Sequence, residues 1–256
     1  MSTPLRAGGF PSRIAEALGQ EILAGTLAPG DQLPNEGALM ERMQVSRTTL
    51  REAIKILAAK GMVVARPKIG TVVRPRADWS LLDPEVLDWL LEGGDLEGAL
   101  LELFDVRRMI EAEAAATAAE TATLAQVAEM RQALGLMGSA ASLIIALDAD
   151  VAFHRSIIRA TGNRFLTALA GVSETALRAT VKLSIRRPGG LPHSLPQHAA
   201  VVDAIALHDA VGARAAMEAL ILNAQSDAVT AARERRRNGE AIAPFATSSI
   251  TLTDPA

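Results

Sequence analysis

Two sets of side chains in this 256-residue chain have types and spacings that could do chemistry. In Asp150-Val151-Ala152-Phe153-His154 a carboxylate and an imidazole stand at i and i+4, stacked on one helix face and able to share a metal ion. A hydrogen-bonded pair inside a helical bundle is the competing reading. In Val45-Ser46-Arg47-Thr48-Thr49-Leu50-Arg51-Glu52-Ala53-Ile54-Lys55-Ile56-Leu57, Arg47, Arg51 and Lys55 form a basic stripe on one helix side, while Leu50, Ile54 and Leu57 form an apolar stripe. Such a helix can pack into a core and still present cations to a polyanion, although a basic stripe alone is more often a solvated face.

The elements around that helix decide between those readings. Ser46 is a good N-cap. Upstream, Leu33-Pro34-Asn35-Glu36 predicts a second, short helix capped by Asn35, with Leu39, Met40 and Met43 as its apolar side, and Gln44-Val45 as the turn between the two. Downstream, Lys60-Gly61 supplies a glycine stop. Met62-Val63-Val64-Ala65 and Thr71-Val72-Val73 then read as strands joined by Arg66-Pro67-Lys68-Ile69-Gly70, a hairpin with Arg66 and Lys68 at its tip. Helix, turn, helix and basic hairpin in that order predict a winged helix-turn-helix. Arg can pair with guanine O6 and N7, whereas Lys and hydroxyl groups mostly position a protein on phosphates.

These residues resemble the DNA-binding domain of the GntR family of bacterial transcription regulators over about 65 residues. The resemblance implies that Arg47, Thr48, Thr49 and Arg51 touch an operator, that Ser46 contacts phosphate, and that Gly70 lies in the wing. One departure is Gly37, where the family often has Arg.

Charge distribution agrees. The net charge is −3, yet residues 1–80 carry 11 Lys+Arg against 7 Asp+Glu while the remainder carries 15 against 22, so the basic end suits DNA. No cysteine is present, which excludes disulfides and thiolate metal sites. No membrane span or signal peptide is legible, and the expected location is cytoplasmic.

From Pro84 onward the pattern is helical, with helices expected at about 84–92, 95–119, 121–137, 140–161, 163–186, 195–208 and 210–236. The fold class is therefore mainly α: an N-terminal winged helix-turn-helix domain at 1–77, an all-α bundle at 78–237, and a disordered tail at 238–256.

The bundle resembles the FCD ligand-sensing domain of the FadR-type GntR subfamily. Asp150-x-x-x-His154 followed by Gly162-Asn163 matches one signature, Val106-Arg107-Arg108-Met109-Ile110-Glu111 an early Arg-bearing helix, and Gln197-His198 through Ile205 the segment that supplies a second His. The resemblance implies a divalent metal (zinc or similar) on Asp150, His154 and His198. The subfamily's last His falls on Leu220, so one protein ligand is lacking. Arg107 could hold an effector carboxylate or pair with Glu111. Asn163 could bind an effector hydroxyl or cap the helix that follows it. His193 and His208 have no expected role.

Arg76-Ala77-Asp78-Trp79 through Trp89 is similar to a segment of sugar-acid repressors of the galactonate type. The expected function is a dimeric, ligand-responsive repressor that a small carboxylate such as a sugar acid releases from a palindromic operator. A fatty acyl or dicarboxylate effector is the alternative, and a metal-dependent all-α enzyme a remoter one.

Overall fold

The structure, a computed structural model, describes residues 9–92, 96–184 and 190–238. The chain divides into two compact units, one before and one from Leu96. Among the described residues no helix is long and apolar enough to cross a membrane. The expected tail lies outside the described residues, apart from its first position.

The first unit begins with α1 (Phe10–Leu23), with Pro11 in its first turn, where a missing backbone N–H costs nothing. α2 (Glu36–Met43) is capped by Asn35, whose side chain accepts from Ala38 N. Gln44 then turns the chain in the left-handed region at φ 53°. α3 (Arg47–Ala59) is capped by Ser46. It stops at Gly61, φ +72°, where Gly61 N donates to Ala58 O and Met62 N to Leu57 O, satisfying two terminal carbonyls. A side chain at Gly61 would also collide with the Asp78 carbonyl. β1 (Val63–Arg66) and β2 (Gly70–Val73) pair antiparallel, Val63 with Val73 through Arg66 with Gly70. Both strands include one tip residue more than expected, because the Arg66–Gly70 pair closes the ladder.

Leu18 and Ile22 of α1, Leu39 of α2, Leu50, Ala53 and Leu57 of α3, and Met62 and Val73 of the hairpin share one core. Each fully buried Leu or Ile there contributes roughly 1.5–3 kcal/mol over leaving it exposed.

That core continues past residue 78, where the domain boundary was expected. Trp79 and α4 (Pro84–Glu92) belong to it, with Val86 and Trp89 buried in the same cluster. Gly19 of α1 makes room for the Trp89 ring: a Cβ there would stand 2.6 Å from it. Asp83 caps α4 by accepting from Glu85 N and Val86 N. Its carboxylate also takes the Lys60 ammonium at 2.7 Å, while Glu85 approaches the same ammonium at 2.8 Å. The linker is thus bolted to the end of α3.

The second unit is a helical bundle of α5 (Leu96–Thr121), α6 (Leu124–Ser139), α7 (Leu143–Ala160), α8 (Arg164–Ser184), α9 (Gly190–Ala206) and α10 (Ala210–Arg237). α5 is central and packs against α7, α8, α9 and α10. Its buried Ala112, Ala114, Ala115, Ala116, Ala118 and Ala119 let several neighbours approach it, since a methyl side chain takes little room. Short connections carry explicit caps: Thr123 and Gln126 form a reciprocal box before α6, and Ser142 caps α7. α9 begins before the expected residue 195 and carries Pro196 inside it. Proline in a helix interior forfeits a backbone hydrogen bond, which is why sequence alone favours a later start.

Candidate functional site

On the first unit, the cations of α3 stand in solvent. Arg47 and Arg51 side chains are 65% and 59% exposed. Both lean toward Glu36 at the start of α2: Arg51 Nε donates to Oε1 at 2.9 Å, and Arg47 Nε lies 3.7 Å from Oε2. The Arg51 hydrogen bond holds the Glu36 carboxyl below its usual range. Water screens an exposed pair of this kind, so it is weakly held. Thr48 is exposed and Thr49 half-buried. The Ser46 hydroxyl accepts from Thr49 N at 3.2 Å and sits 2.9 Å from Thr49 Oγ1, so its first job is the cap. Arg66, Lys68 and Gly70 are exposed along the hairpin, and Gly37 is exposed on α2. Lys68 and Gly70 adopt φ of +63° and +110°, which shapes the tip.

In the bundle, five polar side chains meet away from water. Arg107 and Glu111 come from α5, Asp150 and His154 from α7, and His198 from α9, each buried to 4% exposure or less. Helical spacing places Asp150 and His154 on one face of α7, as expected. Asp150 Oδ1 lies 3.0 Å from His198 Nε2 and 3.5 Å from His154 Nε2. The Phe153 ring stands edge-on to both imidazoles and closes the site with hydrocarbon.

Proton placement follows from the partners. His198 Nδ1 is 2.8 Å from the Ser194 carbonyl, which only accepts, so that nitrogen carries hydrogen. Its Nε2 then faces a carboxylate oxygen across 3.0 Å and needs a cation, a proton or a metal, between them. His154 Nδ1 is 2.5 Å from Glu111 Oε2, yet its N–H is out of line and makes no proper hydrogen bond. Burial alone would lower the His154 imidazolium, but Glu111 and Asp150 outweigh it and raise its pKa to about 9. Burial pushes the Glu111 and Asp150 carboxyls up, and their cationic partners more than reverse that, holding both well below the usual range.

The triad fits a divalent ion. Ligand atoms of Asp150, His154 and His198 lie within 4.8 Å of one another. Two donors bound at about 2.1 Å at tetrahedral or octahedral angles stand roughly 3.0–3.4 Å apart, close to the two separations from Asp150. The Ser194 carbonyl holds Nδ1 of His198 and Glu111 stands beside Nδ1 of His154, leaving each Nε2 toward Asp150 as a ligand would be. Leu220 of α10 is buried and offers no donor. Three protein ligands leave positions open for water or for oxygens of a small molecule.

Arg107 donates from Nε to Glu111 Oε1 at 2.7 Å and from Nη2 to Oε2 at 3.4 Å. Its Nη1 is buried without a hydrogen-bond partner. Both readings of Arg107 are therefore represented: an ion pair on one edge, an unspent donor on the other. Asn163 is exposed, and its Oδ1 caps α8 by accepting from Phe165 N and Leu166 N, so the buried cluster does not contain it. His208 Nδ1 meets the Ala119 carbonyl, a packing role. The side chain of His193 lies outside the described residues. Sequence reasoning gave Glu111 only as a partner for Arg107; its place beside His154 depends on how α5 packs on α7. Ser173, buried and without a hydrogen-bond partner, carried no sequence signal at all.

An exposed basic helix with a hairpin, followed by a bundle enclosing an ionic cluster, defines a DNA-binding regulator with a sensing domain. Residues 11–73 match the model of bacterial regulatory proteins of the gntR family, and residues 102–223 match the FCD domain. The chain is 35% identical to the HTH-type transcriptional regulator YieP of Escherichia coli K12, over 81% of this chain and 90% of that protein. It is 30% identical to the galactonate operon transcriptional repressor of the same organism, over 82% and 92%. It is likewise 30% identical to LutR of Bacillus subtilis, over 80% and 94%. Among solved structures, Lar, which controls expression of the Listeria monocytogenes agr system, shares the fold at a TM-score of 0.63 and 16% identity, over 88% of this chain and 99% of that one. The chain belongs to the GntR family and carries an FCD domain. It is a transcription regulator, not an enzyme.

Proposed function

We propose that this protein is a repressor which binds a palindromic operator as a homodimer and is released or repositioned by a small carboxylate effector of the sugar-acid type. The observation that carries the effector reading is the buried Arg107 Nη1 without a partner, in the same cluster as a triad suited to a divalent ion. A buried guanidinium donor left unmade is costly, and an effector carboxylate would satisfy it. When bound, the metal would supply a fixed positive charge for the effector's carboxylate and hydroxyl oxygens. Asp150, His154 and His198 would hold it, Arg107 would orient the effector, and the Phe153 wall would keep competing water away. Asn163 is the proposed effector contact least supported by its surroundings. The 30% identity to a galactonate operon repressor supports a sugar acid.

For the operator, Arg47 and Arg51 would read bases or phosphates, Ser46, Thr48 and Thr49 would help position α3, and Arg66, Lys68 and Gly70 would form the wing. One α3 covers a half-site, so two copies are required. The effector must bind the operator-competent and released arrangements with different affinity.

Calorimetry of the purified protein with aldonates, uronates and dicarboxylates, with and without chelator, tests the effector reading. Heat from an aldonate that disappears on chelation supports it, and silence across the sugar acids overturns it. Operator binding that survives Arg47→Ala with Arg51→Ala unchanged would overturn the DNA contacts.

A further inference from the structure

Glu111 belongs to two contacts at once. Its Oε1 takes Arg107 Nε, while its Oε2 lies 3.4 Å from Arg107 Nη2 and 2.5 Å from His154 Nδ1. The side chain is 1% exposed, so no water competes for either contact. Nothing else in the cluster touches both the guanidinium and a triad imidazole: Asp150 faces the two histidines, and His198 is held by Ser194 and Asp150.

We propose that Glu111 is a positioning residue that couples the Arg107 effector subsite to the Asp150–His154–His198 metal site, so that effector and metal strengthen each other's binding. This rests on the metal and effector reading given above. Oε2 is the shared atom. Arg107 Nη2 pulls on it from one side, and the His154 N–H meets it out of line. An effector carboxylate that engages the end of Arg107, through Nη1 and the second N–H of Nη2, draws the guanidinium toward itself and loosens the 3.4 Å contact between Nη2 and Oε2. Oε2 is then free to align with the His154 N–H. A better hydrogen bond at Nδ1 fixes the ring and makes its Nε2 the stronger ligand, as a carboxylate behind a metal-bound histidine does. The coupling is reciprocal by thermodynamic necessity. Bound metal holds His154 and draws Oε2 toward it, and this in turn leaves the guanidinium freer to shift toward the effector. One carboxylate can thereby make the sensor respond to two ligands together more than to either alone.

The test uses Zn²⁺ alone, titrated calorimetrically into the full-length chelator-stripped protein. Glu111→Gln should weaken Zn²⁺ binding about 10- to 100-fold. Arg107→Met removes the competitor for Oε2 without touching the triad, and should tighten Zn²⁺ binding about fivefold or more. The discriminating variant combines the two. With Gln at 111 there is no shared carboxylate, and Arg107→Met should no longer tighten binding. An equal gain from Arg107→Met in both backgrounds overturns the coupling, because a through-space charge effect needs no Glu111. If Glu111→Gln alone does not fold, the double variant, which leaves no buried charge from this pair uncompensated, is compared with Arg107→Met. The proposal then requires at least tenfold weaker Zn²⁺ binding in the double variant, on the same scale for an outer carboxylate, and equal affinities overturn it. Failure of the parent protein to bind Zn²⁺ at all retires the metal reading and this inference with it, whereas normal Zn²⁺ binding insensitive to Arg107 retires only the coupling.

Discussion

An arginine faces a glutamate at both ends of the molecule's working parts. Arg51 and Glu36 meet at 2.9 Å on the surface of the first unit, with side chains 59% and 39% exposed. Arg107 and Glu111 meet at 2.7 Å in the bundle, each 1% exposed. Water screens the first pair and supplies alternative partners, so its two members can be separated at little cost. In the second pair each charge depends on the other, and on His154, for its place in a low-dielectric interior. Similar geometry therefore has different consequences: the surface pair is cheap to break and the buried pair costly.

Removing Glu111 should expose that contrast most strongly. Glu111→Ala leaves Arg107 as an uncompensated buried charge, with an expected loss of about 3–5 kcal/mol in denaturant unfolding. Replacing both charges, Arg107→Met with Glu111→Leu, should cost far less. A small loss in the single variant would mean that water reaches the cluster.

Next in size is a pH effect on the chelator-treated protein. The folded pKa of His154, about 9, lies above its ordinary value of 6.5. Its contribution, of order 3 kcal/mol, should be full below pH 6.5 and lost as pH rises through 9. Glu111 and Asp150 are depressed instead, so their contribution should hold above the ordinary carboxyl range and fall away in acid. Thermal melts across that range check both limbs. His154→Gln should flatten the alkaline one.

Lys60 lies between the extremes, 8% exposed against Asp83 at 30%. Lys60→Met should cost roughly 1–3 kcal/mol through the lost charged hydrogen bond to Asp83, and the loss should appear in the unfolding of the first unit. Smallest of all should be Glu36→Gln: the denaturant midpoint should hardly move, because water screens the pair, while affinity for any DNA duplex rises in anisotropy measurements at fixed salt. A larger loss would show that the surface pair is structural after all.

What sequence could and could not reveal follows the same divide between local and long-range physics. Asn35, Ser46 and Gly61 were legible because a cap or a stop depends on residues within one turn. Asp150 and His154 were legible because i+4 spacing fixes a shared helix face. The Arg107–Glu111 pair was legible as one of two alternatives for the same reason. By contrast, Glu111 beside His154 and Trp89 against Gly19 depend on which helices pack together, and spacing does not encode that. Asn163 was ambiguous for a physical cause: an amide at a helix start serves equally as cap or ligand contact, and here its oxygen caps α8. Pro196 concealed the beginning of α9 because its intrinsic cost argues for a boundary.

The packing of Trp79 and Trp89 into the first unit has an optical consequence. The chain contains two tryptophans and no tyrosine, and both indoles are buried beside the DNA-binding helices. Intrinsic emission therefore reports on that unit alone, while the long helices of the bundle dominate far-ultraviolet dichroism. Heating one sample while following both signals gives two melting curves without a label, and any gap between them separates loss of the reading head from loss of the sensor.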